Sequence, residues 1–281
     1  MVQHRPAQAR FEGNPIIFST RDAESAPCLL CRTVFLKGKQ FHMIYILGSI
    51  GAGKTSLTRI LSQDLNSSAY YEDVEGNGMI ANMLQKFYSA GVDSRKTTAT
   101  ILQIAFLTFR YQQLKKALVQ ENAIMDSSLE SDFVMASQLH QNGEIDDIDF
   151  NVYVTLSQEM QANVNGSPFN GLPDLAVYLQ IDPEHEIDEI QSRGREMEDI
   201  REKPELIDYY HRVNRAYRDW SKGYTRSTML TIDRDHLDFV NDLADRNTVL
   251  DAIEGKLVEL GKLTPKRFEE IKRNRALAQE A

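Results

Sequence analysis

Short apolar runs alternate with longer segments of helical periodicity along most of the chain. The apolar runs predict five buried strands, at residues 43–47, 69–72, 123–126, 175–179 and 229–232. Helical periodicity begins at Ser56, and the remaining segments predict helices at residues 98–119, 131–141, 148–164, 184–192, 204–221 and 240–260. Strands and helices that alternate in this way are typical of an α/β fold, in which helices cover the faces of a parallel sheet.

The two ends of the chain depart from this pattern. Residues 1–42 lack clear periodicity, so we expect an appendage, disordered or outside the fold, with the first strand beginning at Met43. They could be upstream sequence read from an early start codon, or a cleaved transit peptide, since arginines lie there among few acids. Residues 43–263 are predicted to form the domain, and the charged segment 264–281 is predicted to be a solvated helical tail.

Composition narrows the class of protein. A hydrophobic content of 42% supports a packed core, and no apolar run is long enough to span a bilayer. The formal net charge of −9 is unsuited to general nucleic-acid binding, because a phosphate backbone requires a basic face. We therefore expect neither nucleic-acid nor membrane partners. The two cysteines, Cys28 and Cys31, indicate a reducing compartment, so we expect a cytoplasmic protein. They lack the second Cys pair that would complete a zinc site.

The strongest chemical signal is a phosphate-binding loop. It matches the motif G-x-x-x-x-G-K-[ST] at every fixed position and stands between a predicted strand and a predicted helix. The loop reads Gly48-Ser49-Ile50-Gly51-Ala52-Gly53-Lys54-Thr55 and is followed by Ser56. Glycines let backbone N–H groups surround an anion, and the helix N-terminus adds positive potential. Lys54 would then contact the β- and γ-phosphates of ATP, and Thr55 would ligate Mg²⁺.

Two acidic residues end predicted strands, and the carboxyl ends of parallel strands gather ligands at one edge of a sheet. Asp126 is the candidate for organising Mg²⁺, although it could instead cap the following helix. Glu72 could accept a proton from an attacking hydroxyl. Asp73 and Glu75 are close rivals for that second role.

Polar residues interrupt the apolar face of the helix predicted at 98–119. Gln103 and Arg110 are seven residues apart and therefore lie on the same face. A buried glutamine needs a polar partner, which a nucleobase edge would supply, and Arg110 would pair with a carboxylate such as Asp132. Both could also be ordinary surface residues.

A basic segment follows the helix predicted at 184–192. Arg193-Gly194-Arg195, with Glu198 shortly after, precedes Lys203-Pro204. A mobile basic loop can close over phosphates and neutralise charge that develops during phosphoryl transfer. The alternative is a solvated charged turn.

Taken in order, these motifs resemble the deoxynucleoside kinases, particularly the bacterial deoxyadenosine/deoxyguanosine kinases. The matching segments lie within residues 43–263 and are the loop 48–56, Tyr71-Glu72, Gln103 with Arg110, Met125-Asp126 with Ser128, Ser131-Asp132, Arg193-Gly194-Arg195, the run 232–239 and the closing stretch 256–263. The resemblance implies a P-loop NTPase-like three-layer fold, with about five parallel strands flanked by helices and a basic lid. It also implies ATP-dependent phosphorylation of a deoxynucleoside 5′-hydroxyl in nucleotide salvage, by a homodimer or a heterodimer with a paralogue.

The resemblance also assigns roles to residues of the acceptor side. It makes Glu72 the general base and Asp126 the metal-organising acid. Gln103, Arg110 and Asp132 become the base-recognition set, which favours a purine or deoxycytidine acceptor.

Further roles fall to the lid and its surroundings. By the same resemblance, Arg193 and Arg195 are the lid arginines that contact the donor phosphates. Glu198, with Tyr88, would hold the 3′-hydroxyl of the acceptor. Asp235 and Phe239 belong to a loop placed against the donor adenine.

The chain departs from the family pattern at two arginine positions. Ser127 replaces the arginine of an Asp-Arg-Ser motif, and Glu189 replaces one four residues before the lid motif. Because an arginine aimed at a transferring phosphoryl group accelerates the reaction, these replacements predict a weaker enzyme. Two alternatives therefore stay open: a weakly active or inactive nucleotide-binding regulatory subunit of a heteromeric kinase, and a nucleoside monophosphate kinase.

Overall fold

The computed structural model describes residues 43–72, 76, 78–90, 92–165 and 171–280. Its strands are β1 Met43–Gly48, β2 Ser68–Tyr70, β3 Ala123–Met125, β4 Leu175–Gln180 and β5 Met229–Asp233. They form one parallel sheet in the order β2-β3-β1-β4-β5. The predicted α/β fold with a five-stranded parallel sheet is confirmed.

Helices connect the strands in the described part of the chain. They are α1 Lys54–Leu65, α2 Gly78–Ser89, α3 Val92–Ala117, α4 Leu129–Gln141, α5 Asp147–Asn165, α6 Pro183–Arg193, α7 Glu205–Gly223, α8 Leu243–Glu259 and α9 Pro265–Glu280, with a 3₁₀ helix at Glu196–Glu198. The sequence pattern does not predict α2. Its signal is modest: Ile80 and Phe87, seven residues apart on one face, are the buried anchors of a helix whose other positions are mostly exposed or half-buried.

Both faces of the sheet are buried, as the three-layer fold requires. Along β1, Ile44 and Ile46 pack into the core formed with α1, α8 and α9. Met43, Tyr45 and Leu47 face the other way and pack with residues of α3, α4 and α5. Because successive side chains of a strand point to opposite faces, a strand buried on both faces is continuously apolar.

The parallel strands bring their carboxyl ends to one edge of the sheet. The phosphate-binding loop follows β1 at the centre of that edge, and Asp126 follows β3 beside it. Strand β2 ends at Tyr70, so the prediction that Glu72 lies within the strand is wrong by two residues. Glu72 instead lies just beyond the strand end, where its backbone N–H donates to Asp126 Oδ1 at 2.7 Å.

The predicted C-terminal tail is a helix, α9, with most of its residues exposed, but it is not solvated on every side as expected. Ile271 of α9 is buried in the core that α1 and α8 share. Arg275 pairs with Asp64 of α1 at 2.7 Å and with Glu254 of α8 at 2.6 Å. A charged helix can therefore present one apolar and ion-paired face to the domain while its other face remains exposed.

Two regions of the sequence prediction lie outside the described residues. They are the proposed appendage 1–42, with Cys28 and Cys31, and the acids Asp73 and Glu75. Among the helices that are described, none combines the length and apolar character needed to cross a bilayer.

Candidate active site

The phosphate-binding loop forms the floor of the site. Gly51 and Gly53 adopt left-handed backbone with φ of 82° and 90°, and a side chain at Gly51 would stand 2.8 Å from Ile190. Glycine is required here because other residues disfavour this conformation. Lys54 Nζ donates to the Ser49 carbonyl at 2.6 Å, so the lysine bends back over the loop that it follows. Burial lowers the pKa of Lys54, while the nearby carboxylates of Glu72 and Asp126 oppose that shift.

The N-terminus of α1 meets the carboxylate that follows β3. Thr55 Oγ1 donates to Asp126 Oδ2 at 2.8 Å, and burial raises the pKa of Asp126. A hydroxyl and a carboxylate beside a phosphate-binding loop are the oxygen ligands that Mg²⁺ prefers, since Mg²⁺ takes one or two protein oxygens and completes its shell with phosphates and water. The residues present therefore fit a magnesium ion.

An ion-pair cluster stands across the edge from the loop. Arg110 is 1% exposed, and its guanidinium lies 3.3 Å from Glu72 Oε1 and 3.5 Å from Asp132 Oδ2. Burial raises the pKa of Asp132 to about 6, although Arg110 opposes the shift. Gln113 accepts a hydrogen bond from Arg110 and donates to the Tyr71 carbonyl, which ties the cluster to the segment that carries Glu72. The structure thus brings together the Arg110–Asp132 pair expected from the sequence.

Gln103 and Tyr88 border the same region. Gln103 is buried on the same face of α3 as Arg110, and it lines the cavity described below. Tyr88 comes from α2 and packs edge-on against Phe87 and Tyr209. Desolvation raises the pKa of Tyr88, so its hydroxyl stays protonated and can donate a hydrogen bond.

The basic segment begins where α6 ends. Gly194 terminates the helix with a left-handed φ of 71°, and this turn separates Arg193 from Arg195. Both arginines are directed to Glu198, with Arg193 Nη2 at 2.5 Å and Arg195 Nη1 at 3.7 Å from its carboxylate. Glu198 is itself buried, so it holds the two cations together over the site.

One cavity of about 710 Å³ connects these groups. Every residue of the loop 48–56 lines it except Gly48 and Ala52, which are covered by neighbouring side chains. The other sequence-predicted residues in its lining are Glu72, Tyr88, Gln103, Asp132, Arg193, Arg195 and Glu198. Asp126 and Arg110 lie directly behind that lining, in contact with Thr55 and Asp132.

Two predicted donor-site residues do not reach the cavity. Asp235 accepts hydrogen bonds from the Asp182 N–H and pairs with His185. Phe239 is fully buried in the core beneath the loop. The strand-following segment curves so that Arg234 and Val240 line the cavity in their place.

Sequence reasoning missed Arg234 and Glu186. Arg234 lies inside an acidic run, and Glu186 is one of several acids on a charged helix, so neither stands out in the sequence. Glu186 is in fact wholly buried under the phosphate-binding loop. A faint signal existed for Glu186, since it lies one residue before the apolar Ile187 and four before Ile190, on the inner half of its helix.

The site has the parts of a nucleotide-dependent phosphotransferase: a phosphate-binding loop, carboxylates across the sheet edge and a pair of lid arginines. Residues 44–259 match the sequence profile of the deoxynucleoside kinases, and the chain belongs to the deoxynucleoside kinase family. The resemblance inferred from the sequence is confirmed, and the protein is a kinase.

Known relatives agree with this assignment. The chain is 36% identical over 220 residues to the deoxyguanosine kinase of Lactobacillus johnsonii, covering 78% of this chain and 94% of that protein. It is 33% identical over 222 residues to the deoxyadenosine kinase of Lactobacillus acidophilus, covering 79% and 99%.

A solved structure is similar as well. The deoxyadenosine kinase from M. mycoides, with products dCMP and a flexible dCDP bound, superposes with a TM-score of 0.59 at 25% identity, covering 77% of this chain and 99% of that one. Nothing in these comparisons favours a regulatory subunit or a nucleoside monophosphate kinase.

Proposed function

We propose that this kinase transfers the γ-phosphate of ATP to the 5′-hydroxyl of a deoxynucleoside whose base is a purine or cytosine. The observation that carries the proposal is the cluster in which the buried Arg110 pairs with Glu72 and Asp132, since these two carboxylates line one cavity with Lys54. Names of the relatives support the acceptor, since they are deoxyguanosine and deoxyadenosine kinases. In the reaction the acceptor oxygen forms a bond to the γ-phosphorus, the bond to the bridging oxygen of ADP breaks, and the acceptor proton leaves.

Glu72 is the proposed proton acceptor. Its side chain is about one quarter exposed, so it reaches the cavity while Arg110 holds it from behind at 3.3 Å. A carboxylate in this position is a group that can take the proton of an attacking hydroxyl. The hydrogen bond from the Glu72 backbone N–H to Asp126 ties this segment to the carboxylate beside the phosphate-binding loop.

The acceptor base is proposed to bind Gln103 and Asp132. A glutamine amide offers a donor and an acceptor side by side, which match the edge of a purine or of cytosine. Asp132, held by Arg110 and with a pKa raised to about 6, adds a second acceptor for an exocyclic amino group when ionised. Adenine, guanine and cytosine carry such an amino group and thymine does not, which disfavours thymidine.

Thr55 and Asp126 are the proposed magnesium ligands. The ion, held by these two residues, would supply positive charge against the donor phosphates. The Thr55 hydroxyl donates to Asp126, so the two proposed ligand oxygens are already neighbours. Lys54 is buried in the loop and oriented by the Ser49 carbonyl, from which it can turn towards the β- and γ-phosphates.

The lid arginines are proposed to engage the donor phosphates. In the present arrangement Glu198 holds both Arg193 and Arg195. A bound triphosphate competes for these cations. The released Glu198 can then accept a hydrogen bond from the acceptor 3′-hydroxyl, to which the Tyr88 hydroxyl can donate. Coupling of the two events would make donor and acceptor binding cooperative.

A dimer in the cytoplasm is the proposed form of the enzyme. Apolar side chains stay exposed on three helices that pack together: Ile101 of α3, Phe133 of α4, and Ile148 and Val152 of α5. Such a patch is typical of a surface that another subunit covers. Sedimentation equilibrium of the parent and of Ile148→Asp tests it: a dimer that the variant converts to monomer supports this surface.

The decisive experiment is phosphoryl transfer from γ-labelled ATP to each of the four deoxynucleosides. We expect 5′-monophosphate from at least one purine deoxynucleoside or from deoxycytidine, and thymidine as the poorest acceptor. No transfer to any deoxynucleoside, by a folded protein that binds ATP, would refute the proposal. A requirement for added Mg²⁺ would support the metal ligands assigned above.

A further inference from the structure

A buried carboxyl lies beneath the phosphate-binding loop. Glu186 of α6 is wholly buried, and its Oε2 accepts hydrogen bonds from the Ser49 hydroxyl of the loop and from the Asn214 amide of α7. The same amide also donates to the Ile181 carbonyl at 3.0 Å, directly after β4. Glu186 therefore joins the loop to three other parts of the domain, which are the end of β4, α6 and α7.

The loop also rests on the helix that carries this carboxyl. A side chain on Gly51 would stand 2.8 Å from Ile190 and 3.2 Å from the Glu186 carbonyl oxygen. Ile190 is four residues after Glu186, and the lid residue Arg193 is seven residues after it, so the three share one face of α6. This face carries the buried carboxyl at one end, the contact with Gly51 in the middle and the lid arginine at the other end.

The contact with Ser49 leads to the lysine of the loop. Ser49 donates its hydroxyl to Glu186, and its carbonyl oxygen accepts from Lys54 Nζ at 2.6 Å. Ser49 is 2% exposed, so its hydroxyl has little access to water as an alternative partner. A fixed hydroxyl restricts rotation of the residue, and the carbonyl then holds the Lys54 amine in one direction.

A carboxyl in this place is costly for the fold. Burial raises the pKa of Glu186 to about 7, although the hydrogen bonds that it accepts and the cations Lys54 and Arg218 oppose the shift. Its other oxygen, Oε1, has no hydrogen-bond partner among the residues that the structure describes. An apolar side chain of similar length would avoid this desolvation, so what the carboxyl adds is an acceptor for the Ser49 hydroxyl.

We propose that Glu186 is a positioning residue for phosphoryl transfer, which fixes Ser49 and through Ser49 aims Lys54 at the donor phosphates. The inference rests on the proposed function, in which Lys54 contacts the β- and γ-phosphates. Glu186 does not line the cavity, so its effect passes through the loop. A displacement of about 1 Å in a group that acts on the reacting atoms can cost about 100-fold in rate, so a hydrogen bond behind the loop is sufficient to affect catalysis.

The test measures ATP binding by calorimetry on the full chain, in a double-mutant cycle. Glu186→Met keeps the length of the side chain and removes the acceptor, so we expect ATP to bind about tenfold more weakly. In a Lys54→Ala background the same substitution should change ATP affinity by less than about twofold, because the lysine that it positions is absent. Equal losses in the two backgrounds would show that Glu186 only supports the loop structurally, and would overturn the proposal.

A conservative variant separates the hydrogen bonds from the charge. Both donors bind one oxygen of Glu186, and the amide oxygen of Glu186→Gln can accept from both. We therefore expect Glu186→Gln to bind ATP within about twofold of the parent. An affinity as low as that of Glu186→Met would assign the effect to the charge and overturn the positioning role. Asp188→Asn, exposed on the same helix, is the matched control and should bind ATP as the parent does.

Ser49→Ala tests the same contact from the side of the loop. It removes the hydroxyl and keeps the carbonyl that anchors Lys54, so we expect the loss seen in Glu186→Met and no further loss when the two are combined. Thermal unfolding verifies that each variant is folded. If Glu186→Met unfolds early, Ser49→Ala carries the comparison in both Lys54 backgrounds. Unchanged ATP affinity in either folded single variant would overturn the proposal.

Single-turnover transfer at saturating ATP gives a second readout. We expect Glu186→Met to transfer phosphate about tenfold more slowly than the parent, and Glu186→Gln to transfer it within about twofold of the parent rate. An unchanged rate in Glu186→Met would overturn the proposal. A parent that binds ATP but transfers no phosphate to any deoxynucleoside refutes the proposed function, while the binding cycles still decide the role of Glu186.

Discussion

Ser49 of the phosphate-binding loop donates its hydroxyl hydrogen bond to Glu186, a carboxyl that is wholly buried on α6. Asn214 of α7 donates to the same oxygen. Since α6 ends at the lid residue Arg193, Glu186 joins the loop that binds phosphate to the helix that carries the lid. The Ser49 carbonyl also accepts a hydrogen bond from Lys54, so the residue that anchors the lysine is the one that binds this buried carboxyl.

Glu186 should make stability depend on pH. Burial raises its pKa to about 7 from 4.5, so its contribution to the free energy of unfolding is fully present below about pH 4.5 and is lost as pH rises through 7. As pH rises between these limits, we expect the free energy of unfolding of Glu186→Gln to increase relative to that of the parent by up to about 3 kcal/mol. Denaturant unfolding of both proteins from pH 4.5 to 8 measures the gain.

Asp188→Asn is the control for that experiment, because Asp188 is exposed on the same helix. Its stability profile should run parallel to that of the parent. A parallel profile for Glu186→Gln as well would contradict the raised pKa.

Lys54→Ala should abolish transfer while the protein remains folded. The main loss is the cation that would contact the phosphates, together with the hydrogen bond that the Lys54 amine donates to the Ser49 carbonyl. We expect turnover to fall by about 10³-fold or more, with a melting temperature close to that of the parent. Lys116→Ala, which removes an exposed lysine from α3, controls for loss of charge. Retained turnover in Lys54→Ala would refute the assignment of this loop as the binding site of the donor phosphates.

Glu72→Gln separates catalysis from binding. The amide keeps the shape of the side chain but cannot take the hydroxyl proton, so we expect kcat to fall by about 10²- to 10⁴-fold with a small change in deoxynucleoside affinity. Steady-state kinetics with the preferred acceptor measures both effects, and the exposed Glu159→Gln on α5 serves as control. Normal turnover in Glu72→Gln would make Asp73 or Glu75 the better candidate for the proton acceptor.

The two replaced arginine positions should respond in opposite directions. Ser127 lines the cavity and its hydroxyl pairs with Ser131 at 2.8 Å, so Ser127→Arg adds a cation near the transferring group and should raise single-turnover transfer by roughly tenfold. Glu189→Arg sets two guanidiniums against each other at Arg234 and should lower donor affinity. A folded Ser127→Arg that transfers more slowly than the parent would mean that serine is the fitting residue there.

Arg275 should be a large contributor to stability. Its side chain is 8% exposed and pairs with the fully buried Glu254, whose pKa is raised by burial and by Asp64 while Arg275 opposes the shift. Arg275→Ala leaves these acids without their cation, and we expect a loss of about 3 kcal/mol in the free energy of unfolding. Arg273→Ala on the exposed face of α9 should change it by less than about 0.5 kcal/mol. Equally small effects of the two substitutions would indicate that α9 is a solvated tail that adds little to stability.

Much of the site could be predicted because its signals are local in sequence. The phosphate-binding loop needs eight consecutive residues whose types follow from the geometry of an anion site. Asp126 and Glu72 could be placed because parallel strands end at a common edge, even though Glu72 lies two residues beyond its strand. Helical spacing placed Gln103 and Arg110 on one face, and the need of a buried arginine for a carboxylate suggested Asp132 as its partner.

Other features depend on contacts between distant segments, for which local patterns carry no signal. Arg234 lies in an acidic run and becomes part of the cavity only because Glu189, 45 residues earlier, and the Phe239 ring hold it there. The same holds for α9, whose charged sequence conceals a face that Arg275 pins to acids of α1 and α8.

The amino-acid sequence by itself determined the α/β pattern, the phosphate-binding loop and the identity of the carboxylates at the sheet edge, because each depends on periodicity or on neighbours along the chain. The tertiary structure decided which charges are buried, which are paired and which face the cavity. Those outcomes depend on desolvation, and the cost of removing a charge from water is set by everything packed around it rather than by its neighbours in sequence.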